Sequence, residues 1–79
     1  MKTLDELRAF AEGYMHGFGL YGGLAEYIDD WFVWGEYDIN FVGAEYGADL
    51  ADNEVRVLAY PAGWVDTLPD PVHTFTIKG

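Results

Sequence analysis

Leu24-Ala25-Glu26-Tyr27-Ile28-Asp29-Asp30-Trp31-Phe32-Val33-Trp34-Gly35-Glu36-Tyr37-Asp38-Ile39-Asn40-Phe41 is the stretch on which the fold turns. In its first half Leu24, Tyr27, Ile28 and Trp31 keep helical spacing, which predicts a short helix over about residues 22–32. Glu26, Asp29 and Asp30 would then share its other face and repel one another, with the last two at the wrong end for the helix dipole. From Trp34 the period becomes two. Tyr37, Ile39 and Phe41 alternate with Glu36, Asp38 and Asn40, which predicts a strand with one buried and one polar face.

Upstream, Thr3-Leu4-Asp5-Glu6 reads as a capping box. Leu4, Leu7, Phe10, Ala11, Tyr14, Met15 and Phe18 follow at spacings of three and four, predicting a helix over 4–17. Gly13 and Gly17 sit four apart on it and predict a close neighbour, most simply inside the domain. Gly17 and Gly19 supply stop signals, and Leu20 to Gly23 is a break. Downstream, Gly43 to Asn53 is a loop, and Glu54 to Tyr60 a second strand with Val55, Val57 and Ala59 on one face. Pro61-Ala62-Gly63 turns the chain, and Val72 to Lys78 is a third strand rich in Thr, Phe and Ile. One or two helices followed by strands predict an α+β fold, with the helices packed on an antiparallel sheet of about three strands. Leu7, Phe10, Tyr14, Ile39, Phe41, Val55, Val57, Phe75 and Ile77 are the expected core.

With 79 residues there is room for one small domain, 1–79. Hydrophobic residues make up 51% of the chain and aromatics 18%, enough for a real core and against disorder. Cysteine is absent, so neither disulfides nor thiolate metal sites hold the fold, which suits a reducing cytoplasm. Met1-Lys2-Thr3 leads straight into the amphipathic helix without a signal-like apolar run, and nothing approaches the roughly 20 apolar residues of a membrane span.

Enzyme constellations are poorly served. Serine and cysteine are both missing, which removes the commonest nucleophiles. His16 and His73 stand alone, away from metal-ligand spacing. Asp49-Leu50-Ala51-Asp52-Asn53-Glu54 is acidic but lacks the glycine and spacing of an EF-hand loop. Gly17-Phe18-Gly19 and Gly22-Gly23 are followed by no lysine that could hold a phosphate. The expectation is a protein without catalysis, cofactor or metal.

The charge is the strongest functional signal. The formal net charge is −10, which repels phosphate backbones and anionic lipids and attracts cationic surfaces. Ten of the 14 acids fall between Ala9 and Val55, a window without Lys or Arg, whereas in residues 56–79 Asp66 and Asp70 balance Arg56 and Lys78. Halophilic adaptation would scatter its acids along the whole chain, whereas a charged face that serves solubility alone is the other plain reading. Alternate strand residues repeat at about 6.6–7 Å, close to the step between successive phosphates. Glu26, Asp29, Asp30, Glu36, Asp38, Glu45, Asp49 and Asp52 are therefore the candidate partner-binding acids, with Trp34 and Tyr46 expected to stack at the rim.

In size, missing cysteine, charge and aromatic content the chain resembles the small acidic proteins by which phages disarm host defence, the anti-CRISPR and anti-restriction DNA mimics. The likeness is of composition rather than motif. It implies a non-enzymatic inhibitor in the host cytoplasm that occupies the Lys/Arg-lined DNA or RNA site of a basic nucleic-acid-binding protein or effector complex, without binding nucleic acid itself. The second reading is a structural or adaptor subunit that dimerises through an aromatic patch including Trp31, Phe32 and Trp34.

Overall fold

Thr3 and Glu6 cap the first helix reciprocally. The Glu6 N–H donates to Thr3 Oγ1 and the Thr3 N–H to Glu6 Oε1, both at 3.2 Å, so two N–H groups the helix cannot satisfy find acceptors. The computed structural model, which describes residues 3–17 and 25–78, carries this helix, α1, over Leu4–Gly17. Leu7, Ala11 and Met15, four apart, are fully buried, and Phe10 and Tyr14 pack beside them at the margin of the core. The expected helix is therefore present, with its deepest stripe one position round from Phe10 and Tyr14. Gly13 is exposed, and a Cβ there would meet nothing within 4 Å, so no described element exploits it for close approach.

The second half of the fold departs from expectation at the opening stretch. Ala25–Tyr27 forms a single 3-10 turn, and Asp29–Trp34 is a strand, β1, not the end of a second helix. Trp31, Phe32, Val33 and Trp34 are aromatic or β-branched, types that lose rotamer freedom in a helix and fit a pleated surface. The glycine-rich break at 18–24, with Gly19 and the first residues of the expected second helix, lies outside the described residues.

Gly35 and Glu36 form a two-residue turn from β1 into β2, Tyr37–Gly43, with Trp34 opposite Tyr37. Gly35 has φ 62° at the first central position, where a turn matching the strand twist demands glycine. β3 spans Glu54–Pro61 and β4 His73–Lys78. The sheet runs β1-β2-β3-β4, antiparallel throughout. Among the described residues the architecture is α+β, one α-helix on a four-stranded meander, one strand more than expected.

The buried hydrophobics on β2–β4, apart from Tyr60, point one way. Tyr37, Ile39, Phe41, Val55, Val57, Ala59, Phe75 and Ile77 meet Leu7, Ala11 and Met15 of α1 in one cluster. Aromatic contacts fix the helix over β1: Phe10 stacks on Trp34 at 4.9 Å, and Tyr14 meets Phe32 at 4.6 Å and Phe41 at 4.8 Å. Pairs of this kind add about 0.5–1.5 kcal/mol each beyond the area they bury. The opposite face of the sheet carries no helix among the described residues.

Candidate functional site

Successive strand residues point to opposite faces, so β1 divides its side chains evenly. Asp30, Phe32 and Trp34 face α1, whereas Asp29, Trp31 and Val33 face outward. The register extends that outer face across the sheet. Val33 stands opposite Asp38 and Asp38 opposite Tyr60; Trp31 opposite Asn40 and Asn40 opposite Leu58; Asp29 opposite Val42 and Val42 opposite Arg56.

An aromatic group assembles on this face. Trp31 stacks on Tyr60 with ring centres 5.6 Å apart, and Trp64 reaches it from the β3–β4 loop at 6.1 Å. The loop is held there because the Ala62 N–H donates to the Glu36 carbonyl at 3.0 Å and the Val72 N–H to that of Ala59 at 2.7 Å. Tyr60 is thereby buried, while Trp31 stays 46% and Val33 78% exposed. Trp31, Phe32, Val33, Asp38 and Trp64 line an open groove of about 520 Å³. Asp38 is half-buried in it, and its carboxylate forms no hydrogen bond or ion pair with another described residue.

The groove runs beside the outer edge of β1, which pairs with no other strand among the described residues. The Gly43 N–H donates to the Ile28 carbonyl and the Glu45 N–H to the Glu26 carbonyl, both at 2.8 Å. Even-numbered residues here thus turn their backbone groups toward β2. The alternation of an antiparallel ladder then turns those of Asp29, Trp31 and Val33 to the outer edge.

The ten expected binding residues do not form one surface. Asp29 and Asp38 share the outer face, separated along the strands by four residues, about 13–14 Å. Asp29 Oδ1 accepts from Asn40 Nδ2 at 3.3 Å. Glu36 sits in the hairpin turn, exposed, not on the strand face where it was expected beside Asp38. Asp30 is on the helix side, accepting from the Tyr14 hydroxyl at 2.8 Å. Burial, followed by that hydrogen bond and the Asp30 charge, pushes the Tyr14 phenol up to about 12. Trp34 is not at the rim either, since it is half-buried against Phe10.

A second acidic group lies at the far end of the sheet. The pKa of the Tyr27 phenol is raised chiefly by the charge of Glu26, then by the hydrogen bond to Glu26 and by burial, with smaller contributions from the charges of Glu45 and Asp52. Tyr46 is 60% exposed in the adjoining loop. Asp49 is not free for a partner: both its oxygens accept from the Arg56 guanidinium, which holds its carboxyl below the usual range. Glu54 is occupied in the same loop, its Oε1 accepting from the Ala51 N–H at 2.8 Å. Among the described residues no three His, Asp or Glu side chains are grouped to hold a metal ion. No described helix is long and apolar enough to cross a membrane.

Sequence reasoning passed over Val33, Tyr60 and Trp64. A tryptophan between two glycine- and proline-rich turns was the available signal for Trp64, but its meeting with Trp31 depends on a loop contact that no local pattern encodes. No protein-family model, curated protein or solved structure significantly matches this chain.

Proposed function

We propose that this chain is a non-enzymatic inhibitor that docks the outer face of its sheet on a basic nucleic-acid-handling protein, such as a CRISPR effector complex or a nuclease, and keeps DNA or RNA off it. The observation that carries the proposal is the exposed indole of Trp31 standing between two carboxylates, Asp29 and Asp38, on a face that no helix covers among the described residues. The order carboxylate, aromatic ring, carboxylate follows the phosphate, base, phosphate order of a nucleic-acid strand, with about 13–14 Å between the acids spanning about two phosphate steps. Of the face's two strand cations, Arg56 is neutralised by Asp49 and Lys78 stands opposite Glu54 at the far corner of the sheet.

Mimicry of this kind works by occupancy. Cationic side chains that bind phosphates meet carboxylates, and the bases' stacking platforms meet Trp31. The attraction is long-ranged and screened by salt, with a Debye length of about 10 Å at 0.1 M and 3 Å at 1 M. Titrated into a CRISPR effector or restriction endonuclease carrying fluorescent duplex DNA, the chain should lower the anisotropy. Its apparent affinity should fall at least about tenfold between 0.05 and 0.3 M salt. No displacement from any basic effector of either class at low salt would contradict the proposal.

A second reading has its own observation. Trp31, Val33, Trp64, Val65, Leu68 and Val72 are all exposed, a surface through which an adaptor subunit could pair with its like. Two copies would each bring a charge of −10, so such pairing should strengthen with salt, opposite to the first reading. Sedimentation at low and high salt separates them.

A further inference from the structure

We infer that the groove between Trp31 and Trp64 is a receptor for one arginine side chain, delivered by an extended segment of the basic partner lying along the free edge of β1. The inference rests on the proposed function and specifies its central contact.

The lining sets the chemistry of the guest. Two indoles and Val33 offer flat apolar walls, and Asp38 offers a single carboxylate. A purely apolar guest would strip water from Asp38 without replacing its hydrogen bonds, which is costly for an ionised group. An anion is repelled by Asp38 and by the net charge. A guanidinium satisfies both parts of the groove, because it stacks on an aromatic face and donates two parallel hydrogen bonds to a carboxylate. A lysine ammonium supplies the charge but neither the plane nor the fork.

Geometry fixes how it lies. The indole centres are 6.1 Å apart and tilted by 49°, whereas a flat guest held between two rings needs about 7–8 Å, two ordinary carbon contacts. The guanidinium therefore rests on the open side of the tilted pair rather than between the rings. One face of Trp31 is already taken by Tyr60, leaving the other for the guest. Beside the groove, the outward backbone groups of Trp31 and Val33 can pair with an extended segment, as an added strand pairs with a sheet edge. Such a segment points every second side chain to the outer face, where Asp38 stands.

The test uses the folded chain and three blocked tripeptides, acetyl-Gly-Xaa-Gly-amide, in which Xaa is arginine, lysine or citrulline. The indole N–H signals of Trp31 and Trp64 are followed by NMR, with Trp34 on the helix side as internal reference. The arginine peptide should shift Trp31 and Trp64 saturably, and citrulline should not. Lysine should bind more weakly, and Asp38→Asn should reduce arginine binding about tenfold or more. Trp64→Ala, a change in a loop that leaves the strands intact, should weaken it as well. Equal response to arginine and lysine, or arginine binding indifferent to Asp38→Asn, overturns the inference. If the peptide fails while the chain still displaces DNA from a basic protein, the groove assignment falls and the inhibitor proposal stands. If the peptide binds and displacement fails, the groove assignment survives alone.

Discussion

Tyr14 is the residue whose chemistry the fold alters most. Its phenol is pushed from 10.0 to about 12 by burial, then by its hydrogen bond to Asp30 and the charge of that acid. In the unfolded chain the proton leaves near pH 10; in the folded chain it stays to about 12. The Tyr14 contribution is therefore fully present below pH 10 and is lost as pH rises toward 12. A spectrophotometric titration should show a late-ionising tyrosine that disappears in Tyr14→Phe, and the variant's stability should fall less steeply over that alkaline window. Gly13 gives a second prediction at this scale. It is a helical glycine with open space where a Cβ would go, so Gly13→Ala should stabilise by about 0.5–1 kcal/mol in chemical denaturation. A loss of stability would mean that something packs against that face after all.

At the scale of elements, α1 and β2 were legible because each obeys one period. The capping box and the three-and-four spacing marked the helix, and the alternation from Tyr37 to Phe41 marked the strand. β1 was not legible, because Asp30, Phe32 and Trp34 are covered by the helix while Trp31 leans on Tyr60 and Trp64 on the other side. With apolar residues on both faces no period of two survives, and Leu24, Tyr27, Ile28 and Trp31 imitate a helix. The acids at 29 and 30 looked like neighbours and are separated by the sheet for the same reason. The site was half legible: Asp29 and Asp38 could be named, but their sharing a face with Trp64 depends on register and on a distant loop. Packing predicts a difference within the core. Phe41 is fully buried, so Phe41→Ala should cost about 3–5 kcal/mol. Phe10 lies at the margin against Trp34, and Phe10→Ala should cost about half as much, fewer contacts being lost. Equal costs would show that the helix sits deeper over β1 than Leu7, Ala11 and Met15 indicate.

For the molecule as a whole, charge and fold are in tension. A net charge of −10 on one small domain opposes compaction, and Arg56 is held by Asp49 while Arg8 lies over the Phe75 ring at 4.8 Å. Raising salt from 0.1 to 1 M should therefore raise the melting temperature, and an unchanged or lower value would show that the acids are too dispersed to repel one another. The central claim is that the outer face of the sheet, rather than charge in general, engages the partner. Two double variants that change the net charge equally decide it: Asp29→Lys with Asp38→Lys on that face, and Asp66→Lys with Asp70→Lys in the β3–β4 loop. In the DNA-displacement assay the first pair should weaken inhibition at least about a hundredfold, because like charges then oppose across the contact. The second should change it only a few-fold. Equal losses in the two variants would contradict the claim.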